Sequence, residues 1–368
     1  MAKTALYWDE TCFWHTGAGY AFTAPLGGLV QPFAAGGLPE DPETKRRLKN
    51  LLDVTGLAQE LHCASAAKAT QDDLLRVHPH SYLNDFKELS DKQGGELTPG
   101  TRAPFGNGSF EIASLSAGLV IAALKNTLNG THQNAYALSR PPGHHCYPDR
   151  PNGFCLLANI AIAIEAAKVE EPDLKVAVVD WDVHHGNGTE AIYLERSDVL
   201  TISIHQEKNY PWDTGEIKTT GTGHTNMNIP LPPGGGHATY LEAMDRLILP
   251  KLKAFSPDVV IVACGFDASG VDPLSRMIAG SNTFAEMTGR LMSFTKDHCE
   301  GRLVMAHEGG YSELHVPFCG HAVLQAMSGS KIHAEDPLAP RMAAQQPNAK
   351  MIQVYSEIIT DYVEHFKL

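Results

Sequence analysis

The sequence is poor in cysteine, and its cysteines do not form recognisable pairs. Seven cysteines are scattered through 368 residues, and no two of them have Cys-x-x-Cys spacing. An odd number at such positions argues against a disulfide framework, so we expect free thiols in a reducing compartment. Catalysis by Cys146 or Cys155 is disfavoured, because it would leave the carboxylate-rich segment described below unexplained.

Basic residues are also scarce. The 29 lysines and arginines are outnumbered by 42 aspartates and glutamates, which gives a formal net charge of −13 at pH 7. A surface of this sign repels phosphate backbones and anionic lipid headgroups. We therefore expect neither a nucleic acid nor a membrane surface as a partner.

Long apolar runs and linkers are missing as well. We find no apolar run approaching the roughly 20 residues that cross a bilayer, and no apolar stretch of the kind that marks a signal peptide. No repeat or Pro/Gly/Ser-rich linker divides the chain. We expect a soluble, cytoplasmic protein with a single domain over residues 1–368. Within it, 329–368 form a tail that ends in a helix over Met351–Phe366.

The sequence does contain an alternation of helical and strand patterns. Helical periodicity covers four segments: Glu111–Thr127, Leu156–Val169, Tyr240–Phe255 and Thr283–Cys299. Short apolar runs typical of buried strands lie between or beside them: Ala135–Ser139, Val176–Asp180, Val199–Ile204, Val259–Cys264 and Leu303–Ala306. This alternation predicts an α/β fold with a central, mostly parallel β-sheet and helices on both faces. The Gly-, Pro- and Thr-rich stretches 94–108 and 206–223 are predicted to be long loops at the rim.

Each predicted strand runs directly into a polar or glycine-rich cluster. The five clusters are Arg-Pro-Pro-Gly-His-His145, Asp-Trp-Asp-Val-His-His185, Ser-Ile-His205, Gly-Phe-Asp267 and His-Glu-Gly-Gly-Tyr311. In open parallel sheets, ligands bind outside the carboxyl ends of the strands. The clusters are therefore predicted to converge on one active-site crevice at that edge.

Two of these clusters have the composition of a metal site. If strand geometry continues past Asp180, Asp182 and His184 share a face, and Asp267 is the natural third ligand. Two carboxylates and one imidazole with an open fourth position suit zinc or another divalent ion. The alternative is that the aspartates cap loops and the histidines bind the aspartates.

The remaining clusters supply groups for acid–base chemistry. His144 and His145 follow a tight Pro-Pro-Gly turn, and either imidazole could exchange a proton with a water or a leaving amine. Asp180 and Asn187 are candidates to bind these histidines and set their tautomers. Tyr311 could donate to a developing oxyanion. The competing interpretations are surface histidines and a tyrosine that merely covers the sheet.

These motifs resemble the arginase/deacetylase superfamily, through Asp-x-His and Phe-Asp-x-x-x-x-Asp-Pro on a parallel α/β sheet. Ureohydrolases of that fold bind two manganese ions with additional carboxylates two positions after the histidine and the aspartate. Here those positions are Gly186 and Ser269. The absence of both carboxylates favours one metal ion.

The chain is most similar to the class II-like bacterial histone deacetylase-like amidohydrolases within the histone deacetylase family. The motifs that carry this resemblance span about Ala5 to Ser328 and occur in the family's order: Arg-Pro-Pro-Gly-His-His145, Asn-Gly-Phe-Cys155, Asp-Trp-Asp-Val-His-His-Gly-Asn-Gly-Thr189, Gly-Phe-Asp-Ala-Ser269 and Glu-Gly-Gly-Tyr311. Several long motifs in order make this a specific match.

The resemblance implies a role for each matching residue. The zinc ligands are Asp182, His184 and Asp267. The catalytic residues are His144 with Asp180 behind it, His145 with Asn187 behind it, and Tyr311. A structural potassium ion would bind backbone carbonyls of Asp180, Asp182 and His184, together with Ser203 and Ile204. The substrate-binding residues are Phe154, Tyr210, Gly153, Leu274, Gly309 and Gly310, of which Phe154 and Tyr210 form the aromatic walls of an acyl-lysine tunnel.

The resemblance therefore implies a zinc-dependent, hydroxamate-sensitive deacylase that hydrolyses N-acyl-lysine or related alkyl amides. It also implies a homo-oligomer, for example a tetramer. An acetylpolyamine amidohydrolase or ureohydrolase-like enzyme is the alternative, and a non-catalytic acyl-lysine binding module is a third possibility. Leu274 occupies the place of a gatekeeper glutamate in polyamine-specific relatives, so its neutral side chain argues against the second. The rim loop Thr98–Pro104 lacks the aspartate with which many members bind the substrate backbone.

Overall fold

A parallel sheet forms the centre of the computed structural model, which describes residues 4–17, 20–21, 23–25 and 37–368. Eight of the strands in the described residues belong to this sheet, and four short ones form two antiparallel pairs, β2 with β3 and β5 with β6. The strands are β1 Thr4–Tyr7, β2 Tyr20–Ala21, β3 Ala24–Pro25, β4 His62–Ala64, β5 Gly94–Gly95, β6 Phe105–Gly106, β7 Asn134–Ala137, β8 Val176–Asp180, β9 Val199–Gln206, β10 Asn226–Leu231, β11 Val259–Cys264 and β12 Leu303–His307.

Helices connect the strands. A π-helical turn, Met244–Ile248, joins α7 to α8, and short 3₁₀ turns occur at Glu10–Trp14, Leu57–Glu60 and Thr222–His224. The α-helices are α1 Glu43–Thr55, α2 Gln71–Leu75, α3 His80–Lys92, α4 Ser109–Leu128, α5 Asn159–Ala167, α6 Asn187–Tyr193, α7 His237–Ala243, α8 Leu249–Phe255, α9 Ser281–His298, α10 Val316–Ser328, α11 Ala339–Ala344 and α12 Ala349–Phe366.

The order of the strands explains where a crevice opens. Across the sheet the order is β10-β9-β8-β11-β12-β7-β1-β4, and all neighbouring strands are parallel. The chain adds β9 and β10 on one side of β8 and then places β11 on the other side. The loops after β8 and β11 therefore diverge. This place, where the order of the strands changes direction, is a topological switch point, and it leaves room for a ligand at the carboxyl edge.

The predicted fold class is confirmed. β8 and β11 are buried along their whole length, as expected for strands covered on both faces. The five clusters predicted to converge lie at the carboxyl ends of β7, β8, β9, β11 and β12, although Ser-Ile-His205 is still part of β9. These five strands are consecutive in the sheet.

Several predicted boundaries were wrong. The helix predicted over Leu156–Val169 begins only at Asn159, because the backbone of Ala158 is not helical (φ −81°, ψ 73°). The N–H of Ala158 donates to His78 Nε2 at 3.1 Å. The predicted loop 94–108 contains the β5–β6 pair. In addition, β10 was missed, because Met227, Ile229 and Leu231 alternate with asparagine and proline instead of forming a continuous apolar run; it is an edge strand that tolerates Pro230.

One helix, α4, is long and apolar enough to cross a membrane by length and composition, with a mean hydropathy of 1.2 over its most apolar window. About two thirds of that window (67%) is buried inside the fold. It packs against α5 and the sheet, and therefore serves as a core helix.

The C-terminal helix α12 lies against the β10 side of the sheet. The hydroxyl of Tyr355 donates to the carbonyl of Pro233 at 2.7 Å, and the hydroxyl of Tyr362 donates to the carbonyl of Pro230 at 2.7 Å. Ile359 between them is fully buried. These contacts anchor the tail to the sheet that carries the crevice.

A buried ion cluster fixes the turn that precedes the tandem histidines. The carboxylate of Glu40 accepts hydrogen bonds from Arg140 Nε at 3.0 Å and from Lys45 Nζ at 3.1 Å, and all three side chains are buried. Arg140 also donates to the carbonyls of Cys12 and His15. Burial raises the pKa of Glu40, but the two cations outweigh burial and hold that pKa below its ordinary value.

This cluster predicts a large stability loss for Glu40→Gln, because two buried cations would lose their counter-ion. We expect a loss of roughly 3 kcal/mol or more in the free energy of unfolding at pH 7, measured by urea unfolding. Since the folded-state pKa of Glu40 is depressed, its contribution exists above the unfolded-state value and disappears as the pH falls through the folded-state value. The deficit of the variant should therefore shrink in acid.

The matched control for Glu40→Gln is Glu88→Gln, which breaks an exposed pair with Lys92. We expect little or no change in the free energy of unfolding from this control, because solvent screens an exposed ion pair. A Glu40→Gln variant as stable as the control would show that the buried cluster does not hold the turn.

Candidate active site

Three ligand-type side chains meet at the switch point between β8 and β11. His184 Nδ1 lies 3.0 Å from Asp182 Oδ1 and 3.1 Å from Asp267 Oδ2, and all three residues are buried. Ligands about 2 Å from a tetrahedral zinc ion lie roughly 3.3 Å from one another, so this spacing matches a metal-binding cluster. The structure thus brings together the three predicted metal ligands.

The reason for this convergence is not the predicted one. Strand geometry ends at Asp180, so Asp182 and His184 do not meet through strand alternation. Instead, Asp182 Oδ1 accepts a hydrogen bond from the backbone N–H of His184 at 2.9 Å, which folds the loop back on itself. Asp267 Oδ1 accepts from the N–H of Val183 at 2.7 Å and joins the β11 loop to the same turn.

Two glycines leave the space that the carboxylates occupy. A Cβ at Gly265 would lie 2.2 Å from Asp182 Oδ2, and a Cβ at Gly309 would lie 2.2 Å from Asp267 Oδ2. The N–H of Gly309 also donates to Asp182 Oδ2 at 2.8 Å. The backbone therefore cradles the two carboxylates and holds one oxygen of each toward His184.

The charges in this cluster are strongly coupled. Burial and the charge of Asp182 raise the pKa of Asp267 to about 6. Burial lowers the pKa of His184, but the carboxylates of Asp267 and Asp182 outweigh it and raise that pKa to about 10. A set of carboxylates that attracts a proton this strongly also attracts a divalent cation, which would displace the proton.

The tandem histidines lie beside this cluster in contact with each other, with ring centroids 3.9 Å apart. His144 Nδ1 lies 2.9 Å from Asp180 Oδ2, and His145 Nδ1 lies 2.6 Å from Asn187 Oδ1. Both pairs are buried. The structure places Asp180 and Asn187 behind the two histidines in the arrangement that the resemblance implied.

The two imidazoles have opposite electrostatic surroundings. Burial lowers the pKa of His144, but the carboxylates of Asp182 and Asp180 raise it well above its ordinary value. For His145, burial and the neighbouring positive charges of His144 and His184 hold the pKa well below its ordinary value. At neutral pH His145 is therefore the neutral member of the pair, with Nε2 able to accept a proton if Nδ1–H donates to Asn187.

Glu308 is a site residue that the sequence reasoning missed. One of its carboxylate oxygens, Oε2, accepts hydrogen bonds from the backbone N–H groups of Gly143 at 2.7 Å and His144 at 3.1 Å. Burial raises its pKa to about 7. The available signal was a carboxylate at the end of a buried strand, but nothing in the sequence shows that it binds backbone amides.

Tyr311 lies beside the same cluster, with its ring centroid 6.3 Å from that of His184. Its backbone N–H donates to Asp272 Oδ2 at 2.8 Å, and a Cβ at Gly309 would lie 2.9 Å from its hydroxyl oxygen. Burial and the charges of Asp267 and Asp182 raise the pKa of Tyr311 well above its ordinary value. The phenol therefore stays protonated at neutral pH and can donate a hydrogen bond.

A cavity of about 180 Å³ leads from solvent to these groups. It is lined by Thr23, Arg102, His145, Gly153, Phe154, His184, Asn209, Tyr210, Leu274 and Tyr311. Gly153 is essential to its shape, because a Cβ there would lie 2.5 Å from the His145 ring and 2.8 Å from the Tyr210 ring.

Gly309 and Gly310, two of the expected substrate-binding residues, are not among the residues that line this cavity. Gly309 lies against the carboxylates of Asp182 and Asp267, and a Cβ at Gly310, whose φ is 121°, would contact Val316 and Phe266. These glycines shape the backbone beneath the site. Phe154, Tyr210, Gly153 and Leu274 do line the cavity, as expected.

The two positions at which a second metal ion would need carboxylates serve other purposes. A Cβ at Gly186 would lie 2.2 Å from Asp180 Oδ2, the oxygen that binds His144. Ser269 Oγ lies 2.6 Å from His315 Nδ1, and its side chain is buried. Gly186 therefore has no room for a side chain, and the Ser269 side chain is already engaged with His315.

The residues expected to bind potassium also lie together. Asp180 of β8 and Ser203 of β9 are paired in register, so Ile204 follows directly on the same edge. Ser203 Oγ is 3.0 Å from His205 Nδ1 and 3.5 Å from the N–H of Gly186. The peptide groups of Asp182 and His184 belong to the loop that continues from β8.

A triad that could hold a metal ion, tandem histidines and a tyrosine at the carboxyl edge of a parallel sheet are the features of a hydrolase of the arginase/deacetylase fold. The histone deacetylase domain model matches residues 38–327. The chain therefore belongs to the histone deacetylase family, and the resemblance found in the sequence is confirmed.

Individual relatives agree with this assignment. The chain is 52% identical to a histone deacetylase-like amidohydrolase of Pseudomonas aeruginosa, over 100% of this chain and 97% of the relative. It is 36% identical to a probable deacetylase of Archaeoglobus fulgidus, over 80% of this chain and 84% of the relative. Among solved structures, the HDA15 HD domain superimposes with a TM-score of 0.82 at 29% identity, covering 100% of this chain and 96% of that domain.

The crowding at Gly186 leads to a prediction. Gly186→Ala should displace Asp180 and lower the free energy of unfolding by about 1–3 kcal/mol, as overpacked sites do. Gly186→Asp should be at least as unstable and should bind no second metal equivalent, measured by urea unfolding and by metal content per chain.

The control for these variants is Gly289→Ala. Gly289 lies inside α9, and a Cβ there meets nothing within 4 Å. Alanine should therefore stabilise the helix by up to about 1 kcal/mol. A stable Gly186→Asp variant with two metal equivalents would contradict our interpretation of the site.

Proposed function

We propose that this protein is a zinc-dependent deacylase that hydrolyses N-acyl-lysine or a related alkyl amide to the free amine and a carboxylate. The observation that carries the proposal is that His184, His145 and Tyr311 line one narrow cavity, and that Asp182 and Asp267 lie against His184 in a cluster that could hold a metal ion. Membership of a deacetylase family supports the reaction class.

The three ligands would hold one zinc ion through one oxygen of each aspartate and Nδ1 of His184. Bound there, zinc would polarise the acyl carbonyl and activate a water molecule. The use of Gly186 to accommodate Asp180, and of Ser269 to bind His315, supports a single ion. Backbone carbonyls near Asp180 and Ser203 would hold a structural potassium ion, as the family resemblance implies.

His145 would act as the general base and later as the general acid. It is the neutral imidazole of the pair, it lines the cavity, and Asn187 fixes its ring. It would take a proton from the attacking water and return one to the leaving amine. His144, held as a cation by Asp180, would stabilise the negative charge that develops nearby.

Tyr311 would donate its hydroxyl proton in a hydrogen bond to the oxygen of the acyl group as that oxygen gains charge. Asp272 accepts a hydrogen bond from its backbone N–H and thereby positions the tyrosine. The Phe154 and Tyr311 rings lie edge to face with centroids 5.9 Å apart, which limits where the acyl group can sit.

The cavity walls fit an uncharged acyl-lysine stem. Phe154 and Tyr210 form aromatic sides, and the Tyr210 hydroxyl is occupied by a hydrogen bond to Asn152 Oδ1 at 2.6 Å. Leu274 offers no partner for a second amine. These features favour acyl-lysine over acetylpolyamines.

The main test is hydrolysis of a fluorogenic acetyl- or trifluoroacetyl-lysine amide by zinc-loaded protein. Tyr311→Phe should lower kcat by about 10²- to 10³-fold while zinc content stays at one per chain. Asp267→Asn should lose the zinc itself. Activity that survives Asp267→Ala or excess hydroxamate would refute the proposal, and faster turnover of acetylated polyamines would favour the alternative enzyme.

A second prediction concerns pH. In Asn187→Asp, a carboxylate would face His145 Nδ1 and raise the pKa of this imidazole, so the base would lose its proton only at higher pH. The acidic limb of the profile of kcat/KM against pH should move upward by about 1 unit or more. An unmoved acidic limb in a folded, zinc-loaded variant would indicate that His145 is not the base.

A further inference from the structure

The outer end of the cavity carries a positive charge. Arg102 is half-buried and lines the cavity, with its guanidinium carbon 5.4 Å from the ring centroids of both Tyr210 and Trp212. Trp212 is 62% exposed, so this end opens to solvent. On the inner side, the Tyr210 ring lies 5.0 Å from the ring of His145.

This charge has no counter-ion. Arg102 forms no ion pair within 4.0 Å in the part of the chain that the structure describes, and the segments outside that part contain neither aspartate nor glutamate. Other partly exposed arginines, such as Arg46, Arg196 and Arg290, each bind a carboxylate. The remaining residues of the outer wall, Thr23, Asn209 and Leu274, are neutral.

The backbone holds Arg102 in place. Its φ is 56°, a conformation that residues other than glycine rarely adopt. Its carbonyl accepts a hydrogen bond from the N–H of Phe154 at 2.9 Å, and the carbonyl of Thr101 accepts one from the N–H of Gly153 at 2.8 Å. The rim loop is therefore fastened to the cavity wall, and a costly backbone conformation is maintained at the entrance.

We propose, on the basis of the function proposed above, that Arg102 binds a carboxylate on the amine-bearing part of the substrate. With the acyl group beside His145 and Tyr311, the four-carbon stem of lysine would pass between Phe154 and Tyr210 toward the mouth. An α-carboxylate would then meet the guanidinium fork, which can bind it through two hydrogen bonds. The preferred substrates are free Nε-acyl-lysine or an acyl-lysine at the C-terminus of a peptide.

The test compares two matched substrates, Nα-acetyl-Nε-acetyl-lysine with a free α-carboxylate and the same compound as its α-carboxamide. The wild-type protein should favour the carboxylate by about 10-fold in kcat/KM. Arg102→Gln should bring the ratio close to one, and Arg102→Lys should retain part of the preference. Free Nε-acetyl-lysine and a peptide that ends in acetyl-lysine distinguish the two sources of the carboxylate.

Arg150 provides the matched control. Its guanidinium lies 3.7 Å from the ring centroid of Tyr147 and pairs with Asp149, but it does not line the cavity. Arg150→Gln should keep the wild-type ratio. If Arg102→Gln lowers kcat/KM equally for the two substrates, Arg102 only supports Tyr210 and the inference is wrong. Equal kcat/KM values for the two substrates in the wild-type protein would also overturn it.

A separate measurement distinguishes this inference from the proposed function. If neither compound is hydrolysed, the deacylase proposal fails, and calorimetric binding of the two compounds to the zinc-loaded protein decides the role of Arg102. Tighter binding of the compound with the free α-carboxylate, together with loss of this difference in Arg102→Gln, would support a carboxylate site at Arg102. Equal affinity for the two compounds would overturn it.

Discussion

The buried carboxylate of Asp182 is the group on which the arrangement of the site depends. A fully buried anion is costly unless hydrogen bonds and opposite charges surround it. Its oxygens are met by the N–H groups of His184 and Gly309, and its charge acts on the imidazole of His144. These partners come from the loops after β8, β12 and β7, so one charge holds together three separate strand ends.

The charge of Asp182 also helps to explain why the adjacent histidines His144 and His145 differ in protonation. His144 faces Asp180 and Asp182 and is stabilised as a cation, whereas His145 faces an amide and the positive charge of His144. A proton on one ring therefore disfavours a proton on the other. The pair behaves as one cationic and one neutral imidazole, which is the combination that alternating proton acceptance and donation requires.

The strand-end clusters could be predicted because the ligand-type residues are contiguous in the sequence and follow buried apolar runs. The role of Glu308 could not, since a carboxylate that binds backbone amides leaves no pattern of spacing. The convergence of Asp182 and His184 was predicted for the wrong reason, because a side chain that accepts a bond from its own loop overrides strand alternation. β10 was missed because an edge strand needs no continuous apolar run.

Gly186 limits which side chains this chain can accept beside the site. In the single-ion site proposed above, a carboxylate at that position would be the first step toward a two-metal centre, but its Cβ would collide with the oxygen of Asp180 that binds His144. The first substitution would damage the existing site before a second ion could contribute anything. A two-metal centre in this chain would therefore require a change that repositions Asp180 together with the substitution at Gly186.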